Sequence, residues 1–270
     1  MLSKLIKHEL RCTSRVMLPL YLAILLLAAF SNLSTHILGQ EKSFFLSALA
    51  FIFLALFFLS LIAICVISVV LTIQRFYKNL LTDEGYLMFA LPVSVHQHIW
   101  AKLLISALWI IGSVLVCALS IGLMTLRAGM AAGIFRQVVN FFQQLFGFYG
   151  LNVAITTLLV LILIVLSLFT SILLCYAAMA VGQSFSNHKF LLSVVFYFVF
   201  NIALQLLAVL GLALGVPFFA SHTILTWLSG LSAEQTVNTT LLLLSFITFL
   251  TGGGFYWLTQ HMLRRHLNLQ

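Results

Sequence analysis

The residues best placed for chemistry lie in a short polar segment, 74–94, between two long apolar runs. Asp83 and Glu84 are the only adjacent acids in a chain that has 5 acidic residues in all. Gly85 permits a sharp bend after them, and Tyr86 opens an apolar stretch that is too short to cross a membrane. A bent segment that is acidic at one end and aromatic at its centre favours docking of a soluble partner. An interfacial loop that rests on lipid is an equally good interpretation.

Enzyme motifs are absent from the sequence. It contains no H-E-x-x-H or G-x-S-x-G pattern and no G-x-x-x-x-G-K-[ST] phosphate-binding loop, so we expect neither ATP hydrolysis nor another enzymatic activity in this chain. His96 and His98 are two residues apart and do not share a helical face, so we expect no metal site there. The four cysteines lack metal-like spacing and are expected to be packing residues: Cys12, Cys65, Cys117 and Cys175.

Two amides stand within a long apolar run. Asn201 and Gln205 are four residues apart and therefore share one face of a helix. They are candidates to line a substrate path, although hydrogen bonding to a neighbouring helix is the commoner role of such amides. No Asp, Glu, Lys or Arg lies near the centre of an apolar run, which argues against a proton- or sodium-coupled carrier.

The composition determines which elements must position these residues. Hydrophobic residues make up 63% of the 270 residues and charged residues 7%, whereas a soluble domain carries about 25% charged residues. A soluble protein of this composition could not cover its surface with polar groups, so the chain must sit in lipid. Its apolar runs are continuous and do not alternate as barrel strands do. We therefore predict an all-α integral membrane protein.

Six apolar runs are long enough to cross a bilayer, which takes about 20 residues. We predict one transmembrane domain over 1–270, with spans at 17–38, 44–73, 97–126, 151–181, 190–215 and 237–260. Residues 1–15 place leucines and isoleucine at helical spacing opposite lysines and arginines, which favours a separate helix on the membrane surface over a plain flanking segment. Residues 127–150 form a long gap on the predicted outer side.

The basic residues predict the orientation. The net charge of +8 is explained by topology and anionic headgroups, because the cations lie between apolar runs, and we expect no nucleic-acid partner. With both termini in the cytoplasm, ten basic residues lie inside and three outside. The inside residues are Lys4, Lys7, Arg11, Arg15, Arg75, Lys78, Lys102, Lys189, Arg264 and Arg265, and the outside residues are Lys42, Arg127 and Arg136.

Three local patterns resemble a known family. They are KLIKHEL at 4–10, TDEGYL at 82–87, and LPVS at 91–94 leading to Lys102. Together they resemble the permeases of bacterial ATP-binding cassette (ABC) transporters of the type-2 exporter class, as seen in Firmicutes. The resemblance covers the whole chain in topology and is most specific over 74–102. The gap at 127–150 is longer than we expect of a minimal member of that family.

The resemblance implies a role for each connecting segment. It makes 1–15 an elbow helix, 76–91 a coupling segment that docks on a separate ABC ATP-binding subunit, 183–189 a second cytoplasmic contact, and 216–236 short helices in the outer leaflet. ATP and magnesium would then be bound by that partner subunit, and a second permease subunit, identical or related, would complete the pathway. The docking residues expected on this basis are Phe76, Asp83, Glu84, Gly85, Tyr86, Phe185 and Asn187.

The function expected from this resemblance is ATP-driven export across the bacterial cell membrane. The largely apolar path suggests an amphipathic or lipophilic cargo, such as a peptide or a drug-like compound. A non-transporting membrane scaffold or sensor that recruits a soluble partner through the same segment is the alternative. An intramembrane enzyme with an unrecognised site is a third hypothesis.

Overall fold

The computed structural model describes residues 2–37, 44–81, 94–125, 130–149, 153–185, 189–219 and 232–265. Over these ranges every regular element is an α-helix. In chain order the helices are α1 (Leu2–Ile37), α2 (Phe44–Leu81), α3 (Val95–Thr125), α4 (Met130–Tyr149), α5 (Val153–Gly182), α6 (Lys189–Phe219) and α7 (Ala233–Arg265).

Six of the seven helices are long and apolar enough to cross a membrane. Many large apolar side chains on these helices are exposed, as expected where lipid is the solvent. The prediction of an all-helical, multi-pass membrane protein is thus confirmed over the described residues. The apolar stretches are Ser3–Ser34, Ser47–Leu81, Val95–Met124, Val153–Gly182, Lys189–Gly211 and Glu234–Arg264.

The first helix corrects the expected separation of 1–15 from the first span. Helix α1 runs without a break from Leu2 to Ile37 and includes Pro19. Before Pro19 the sequence has no glycine or proline that would end a helix. Glu9, Thr13 and Met17 are buried at four-residue spacing, so one protein-facing stripe continues from the basic segment into the span.

The second helix is longer than the predicted span 44–73, because α2 continues to Leu81. Its added turns bury Phe76 and Leu80, which share one face, so packing favours helix over loop here. Residues 82–93 lie outside the described residues.

The predicted gap at 127–150 contains a 20-residue helix, α4. The sequence predicts a gap here because the apolar residues are interrupted by Arg136 and several amides. The expected outer helices at 216–236 are described only in part, since α6 continues to Phe219 and α7 begins at Ala233. Residues 220–231 lie outside the described residues.

The sequence predicts a single domain, and the contacts group the chain into two compact units. Unit 1 comprises Met1–Arg75 and Gln97–Gln143, and unit 2 comprises Phe76–His96 and Gln144–Gln270. The division falls within helices α2, α3 and α4.

In unit 1, α1 packs against α3 through an apolar cluster and through hydrogen bonds between the two helices. Met17, Ile105 and Trp109 form the buried cluster. The Tyr21 hydroxyl lies 3.0 Å from both the Trp109 carbonyl and the Ser113 hydroxyl. Near the other end of α1, the Asn32 amide donates to the carbonyls of Leu123 and Met124 at 2.9 and 2.7 Å, where the last turn of α3 lacks intrahelical donors.

Unit 2 is built around α5, which packs against α6 and α7. The Thr156 hydroxyl donates to the Asn238 amide oxygen at 2.7 Å, and the Thr170 hydroxyl donates to the Thr248 carbonyl at 3.1 Å. Gly252 lies directly against Thr170, since a Cβ at Gly252 would be 2.6 Å from the Thr170 hydroxyl oxygen. Helix α5 ends in small residues, which allow neighbouring helices to approach closely.

Gly182→Ala should destabilise unit 2. Its Cβ would lie 2.6 Å from the Ser193 backbone nitrogen and 2.7 Å from its Cα, so α5 and α6 would have to separate. Such overpacking costs about 1–3 kcal/mol, measurable as the free energy of unfolding in mixed detergent micelles followed by circular dichroism. Gly253→Ala is the matched control, because nothing lies within 4 Å of its new Cβ. Equal destabilisation by the two variants would contradict the close contact.

Candidate functional site

The first candidate site is the part of unit 2 from which segments 82–93 and 186–188 emerge. Phe76 near the end of α2 stacks on Tyr176 of α5, with ring centroids 3.9 Å apart and planes at 11°. Both side chains are 0% exposed. The neighbouring Tyr77 meets Phe190 of α6 edge-on, with centroids 6.3 Å apart. The last turns of α2 are thus fixed to two other helices of unit 2.

The start of α3, which follows segment 82–93, is also held in unit 2. His96 Nδ1 lies 2.6 Å from the Tyr256 hydroxyl, and the Gln260 amide nitrogen lies 2.8 Å from His96 Nε2, both partners being on α7. With the amide in this orientation, Nε2 accepts from Gln260, and Nδ1–H donates to the Tyr256 oxygen. We call Phe76, Tyr176, His96, Tyr256 and Gln260 the anchor cluster.

The second segment leaves α5 through a tight turn. The Gln183 N–H donates to the Met179 carbonyl at 3.1 Å, and the Ser184 N–H donates to the Val181 carbonyl at 3.0 Å. The Ser184 hydroxyl also lies 3.6 Å from the Met262 sulfur on α7. The turn that precedes 186–188 is therefore held by both its own backbone and α7.

The expected docking residues fall into two groups. Phe76 is fully buried in the anchor cluster, whereas Phe185 is 45% exposed and stacks on Phe196 with centroids 5.6 Å apart. Phe185 is thus accessible at the surface, and Phe76 anchors the end of α2 that leads to the expected coupling segment. The remaining expected residues lie outside the described residues, and their docking role stays a prediction: Asp83, Glu84, Gly85, Tyr86 and Asn187.

The two candidate substrate-path amides lie on α6. The Asn201 amide nitrogen donates to the Tyr197 carbonyl of its own helix at 2.8 Å. Gln205 is exposed, as are Leu206 and Leu207 beside it. This surface is uncovered by the rest of the described chain, and the substrate-path role stays a prediction.

A second candidate site, a buried ion pair in unit 1, was not anticipated from the sequence. Lys102 Nζ lies 2.8 Å from Glu9 Oε1, and the two side chains are 3% and 5% exposed. The ammonium group also donates to the Arg75 carbonyl at 3.1 Å. One basic side chain of α3 thus binds α1 through a carboxylate and α2 through a backbone oxygen.

Hydrogen-bonded hydroxyl side chains lie next to the ion pair and farther along the same helices. The Thr13 hydroxyl donates to the Glu9 carbonyl at 2.8 Å and accepts from Trp109 Nε1 at 2.7 Å. Farther along, Ser68 and Ser113 are 2.6 Å apart at their hydroxyl oxygens. A cavity of about 20 Å³ lies beside the Glu9–Lys102 ion pair. This volume is enough for a single water-sized group. Its walls include Glu9, Thr13, Ser68, Thr72, Arg75, Lys102, Ser106 and Trp109.

The sequence does not predict the ion pair, for a specific reason. Lys102 is one of the basic residues expected at the inner end of a span, and Glu9 lies in a segment expected on the membrane surface. The available signal was the spacing of Glu9, Thr13 and Met17, which places the acid on the same face as core residues. Over the described residues, no group of three or more His, Cys, Asp or Glu side chains is positioned to hold a metal ion.

Comparison with protein-family models, with curated proteins and with solved structures found no match to this chain. A functional proposal therefore depends on the residues and their geometry.

Glu9→Gln should destabilise unit 1 strongly, because Lys102 would be left as a buried charge without its counter-ion. Breaking a buried pair on one side costs about 3–5 kcal/mol, and Lys102→Met should cost a similar amount. The double variant removes both charges and should lose less stability than the sum of the single losses. The free energies of unfolding form a double-mutant cycle, and additive losses would contradict a direct pair. Lys7→Met, an exposed position on α1, is the control.

Phe76→Ala should destabilise the anchor cluster by about 3–5 kcal/mol, the usual cost of deleting a buried aromatic ring. Phe58→Ala on the same helix is the matched control, because Phe58 is 54% exposed. Its change should stay within about 0.5 kcal/mol. Unfolding monitored by circular dichroism distinguishes the two variants, and equal losses would show that the stack does not stabilise α2.

Proposed function

We propose that this chain is the membrane-spanning permease subunit of an ABC transporter of the type-2 exporter class. The supporting observation is that the helix ends on either side of both expected ATPase-contact segments belong to unit 2. These ends are held by the Phe76–Tyr176 stack, by His96 with its two partners on α7, and by the Ser184 contact. In this proposal the protein lies in the bacterial cell membrane, as the resemblance implies, and its distribution of basic residues favours both termini in the cytoplasm.

The anchor cluster gives this proposal its mechanism. Binding of ATP closes the paired ATPase subunits, and that movement displaces segment 82–93. Because Phe76 and Tyr77 are packed on α5 and α6, and His96 is hydrogen-bonded to α7, the displacement is passed to three spans of unit 2. A close-packed aromatic contact passes on such movement instead of absorbing it, because protein interiors have low compressibility.

The same proposal assigns separate roles to the partner subunit and to this chain. ATP and magnesium are bound by the partner subunit, and this chain contributes docking, movement and the path of the cargo. The exposed surface of α6 around Asn201 and Gln205 faces a second permease subunit across that path. Apolar side chains beside these amides, such as Leu206 and Leu207, suit an amphipathic or lipophilic cargo.

The double variant Asp83→Lys/Tyr86→Ala should lose binding to the ATPase subunit. It reverses the charge of one acid and removes the aromatic ring of the segment that the proposal places against the partner. The measurement is co-purification of a phosphate-loop ATPase with the tagged chain from the native membrane, followed by ATPase activity of the complex. We expect the wild-type chain to retain the ATPase and the double variant to retain little of it.

The matched control is Glu41→Lys/Tyr197→Ala, which carries the same two kinds of substitution away from the docking segment. Glu41 lies in the predicted outer turn, and Tyr197 lies within α6. This variant should retain the ATPase at the wild-type level. Retention by both variants would overturn the docking assignment, and ATPase activity of the purified chain alone would overturn the proposal of a separate energy-supplying subunit.

A further inference from the structure

Helix α4 separates polar and apolar residues completely around its circumference. At about 100° per residue, its polar residues and glycines fall within an arc of about 120°. The rest of the helix carries only alanine, methionine, aliphatic and aromatic residues. The polar arc contains Gly133, Arg136, Gln137, Asn140, Gln143, Gln144 and Gly147.

Among the residues of α4 whose burial is described, all of those on the polar arc and all but Val139 on the apolar face are exposed. Val138 and Phe141 on the apolar face are 46% and 58% exposed. Gln137 and Asn140, their neighbours in sequence on the polar face, are exposed as well. The described protein therefore leaves the apolar face to be covered by something else.

The connections of α4 keep it near the membrane. It begins five residues after Thr125, the end of α3, and ends four residues before Val153, the start of α5. Even fully extended, these connections reach at most about 18 Å and about 14 Å. Since α3 and α5 are both span-length apolar helices, each end of α4 lies close to a point where the chain leaves or enters the bilayer.

Two observations argue against α4 as a further span. Crossing the membrane would place Arg136 and four amides of the polar arc in hydrocarbon, and arginine is among the costliest residues there. A crossing would also invert the spans that follow, so that Lys189, Arg264 and Arg265 would lie opposite the basic residues of the N-terminal segment. That arrangement would leave seven basic residues on one side of the membrane and five on the other, in place of ten against three, and so would largely remove the positive-inside bias.

We propose that α4 lies flat in the interface of the leaflet at which α3 ends, with its apolar face in the acyl chains and its polar arc in the headgroup region. We assign lipid as the cover because each flanking span also exposes large apolar side chains near the end that connects to α4, for example Leu119 of α3 and Leu158 of α5. With Arg136 as its one charged residue, α4 is held by apolar burial and not by attraction to anionic headgroups. This inference is independent of the transport proposal and depends only on the six spans.

The test uses the full chain without its four cysteines, with single cysteines introduced as Gln137→Cys, Val138→Cys, Asn140→Cys and Phe141→Cys. Each variant carries a nitroxide spin label and is reconstituted into phosphatidylcholine vesicles. Collision of the label with oxygen reports acyl chains, and collision with a water-soluble nickel chelate reports water. Leu115→Cys, an exposed position within α3, is the reference for the bilayer core. The helical circular dichroism of each vesicle preparation verifies that the variant is folded and inserted.

We expect the oxygen-to-nickel ratio to be several-fold higher at 138 and 141 than at 137 and 140, and below that of the reference at 115. Ratios equal to the reference at all four positions would mean that α4 crosses the membrane. Nickel access at all four would mean that the apolar face awaits a protein partner or solvent. Either result would overturn the proposal, and so would an interfacial pattern that requires anionic phosphatidylglycerol.

Discussion

Every backbone N–H and C=O that enters membrane hydrocarbon must find its hydrogen-bond partner inside the protein, because lipid offers none. Because of this constraint, every regular element among the described residues is an α-helix. It also governs the hydroxyl side chains, many of which bond back to a carbonyl one turn earlier. Ser68 donates to Ile64 at 2.7 Å, and Thr259 donates to Phe255 at 2.7 Å. A chain this apolar can therefore carry many serines and threonines with their hydroxyls bonded inside the helix. Ser31 and Ser34 of α1 are exceptions, because their buried hydroxyls have no hydrogen-bond partner within the described part of the chain.

Polar groups that bond between helices have a different effect, because the hydrophobic effect does not drive helices together in lipid. In unit 1 the hydroxyl of Tyr21 and the amide of Asn32 hold α1 on α3. In unit 2 the Thr156–Asn238 bond joins α5 to α7. Such bonds specify which helix faces meet, whereas apolar packing alone would permit several rotations of each helix.

The sequence predicts the number of spans well, since each apolar run exceeds the thickness of the bilayer. Periodicity alone, however, identifies which face of a helix is apolar and not what covers that face. Residues 1–15 show this limit, because the stripe that contains Glu9 fits a membrane surface as well as it fits α3. Lys102 shows it too, since its pairing with Glu9 requires knowing that α1 and α3 are neighbours. The proposed docking acids Asp83 and Glu84 lie outside the described residues, so their role still depends on the sequence.

The aromatic stack between Phe76 and Tyr176 has a thermodynamic consequence. If a partner bound at segment 82–93 shifts the arrangement of α5, a molecule held among the spans must alter the affinity of that partner by the same factor. Coupling of this kind is reciprocal, whichever site is filled first. On the transport proposal, the stack in unit 2 is the point at which partner binding at segment 82–93 and occupancy among the spans share a single free energy.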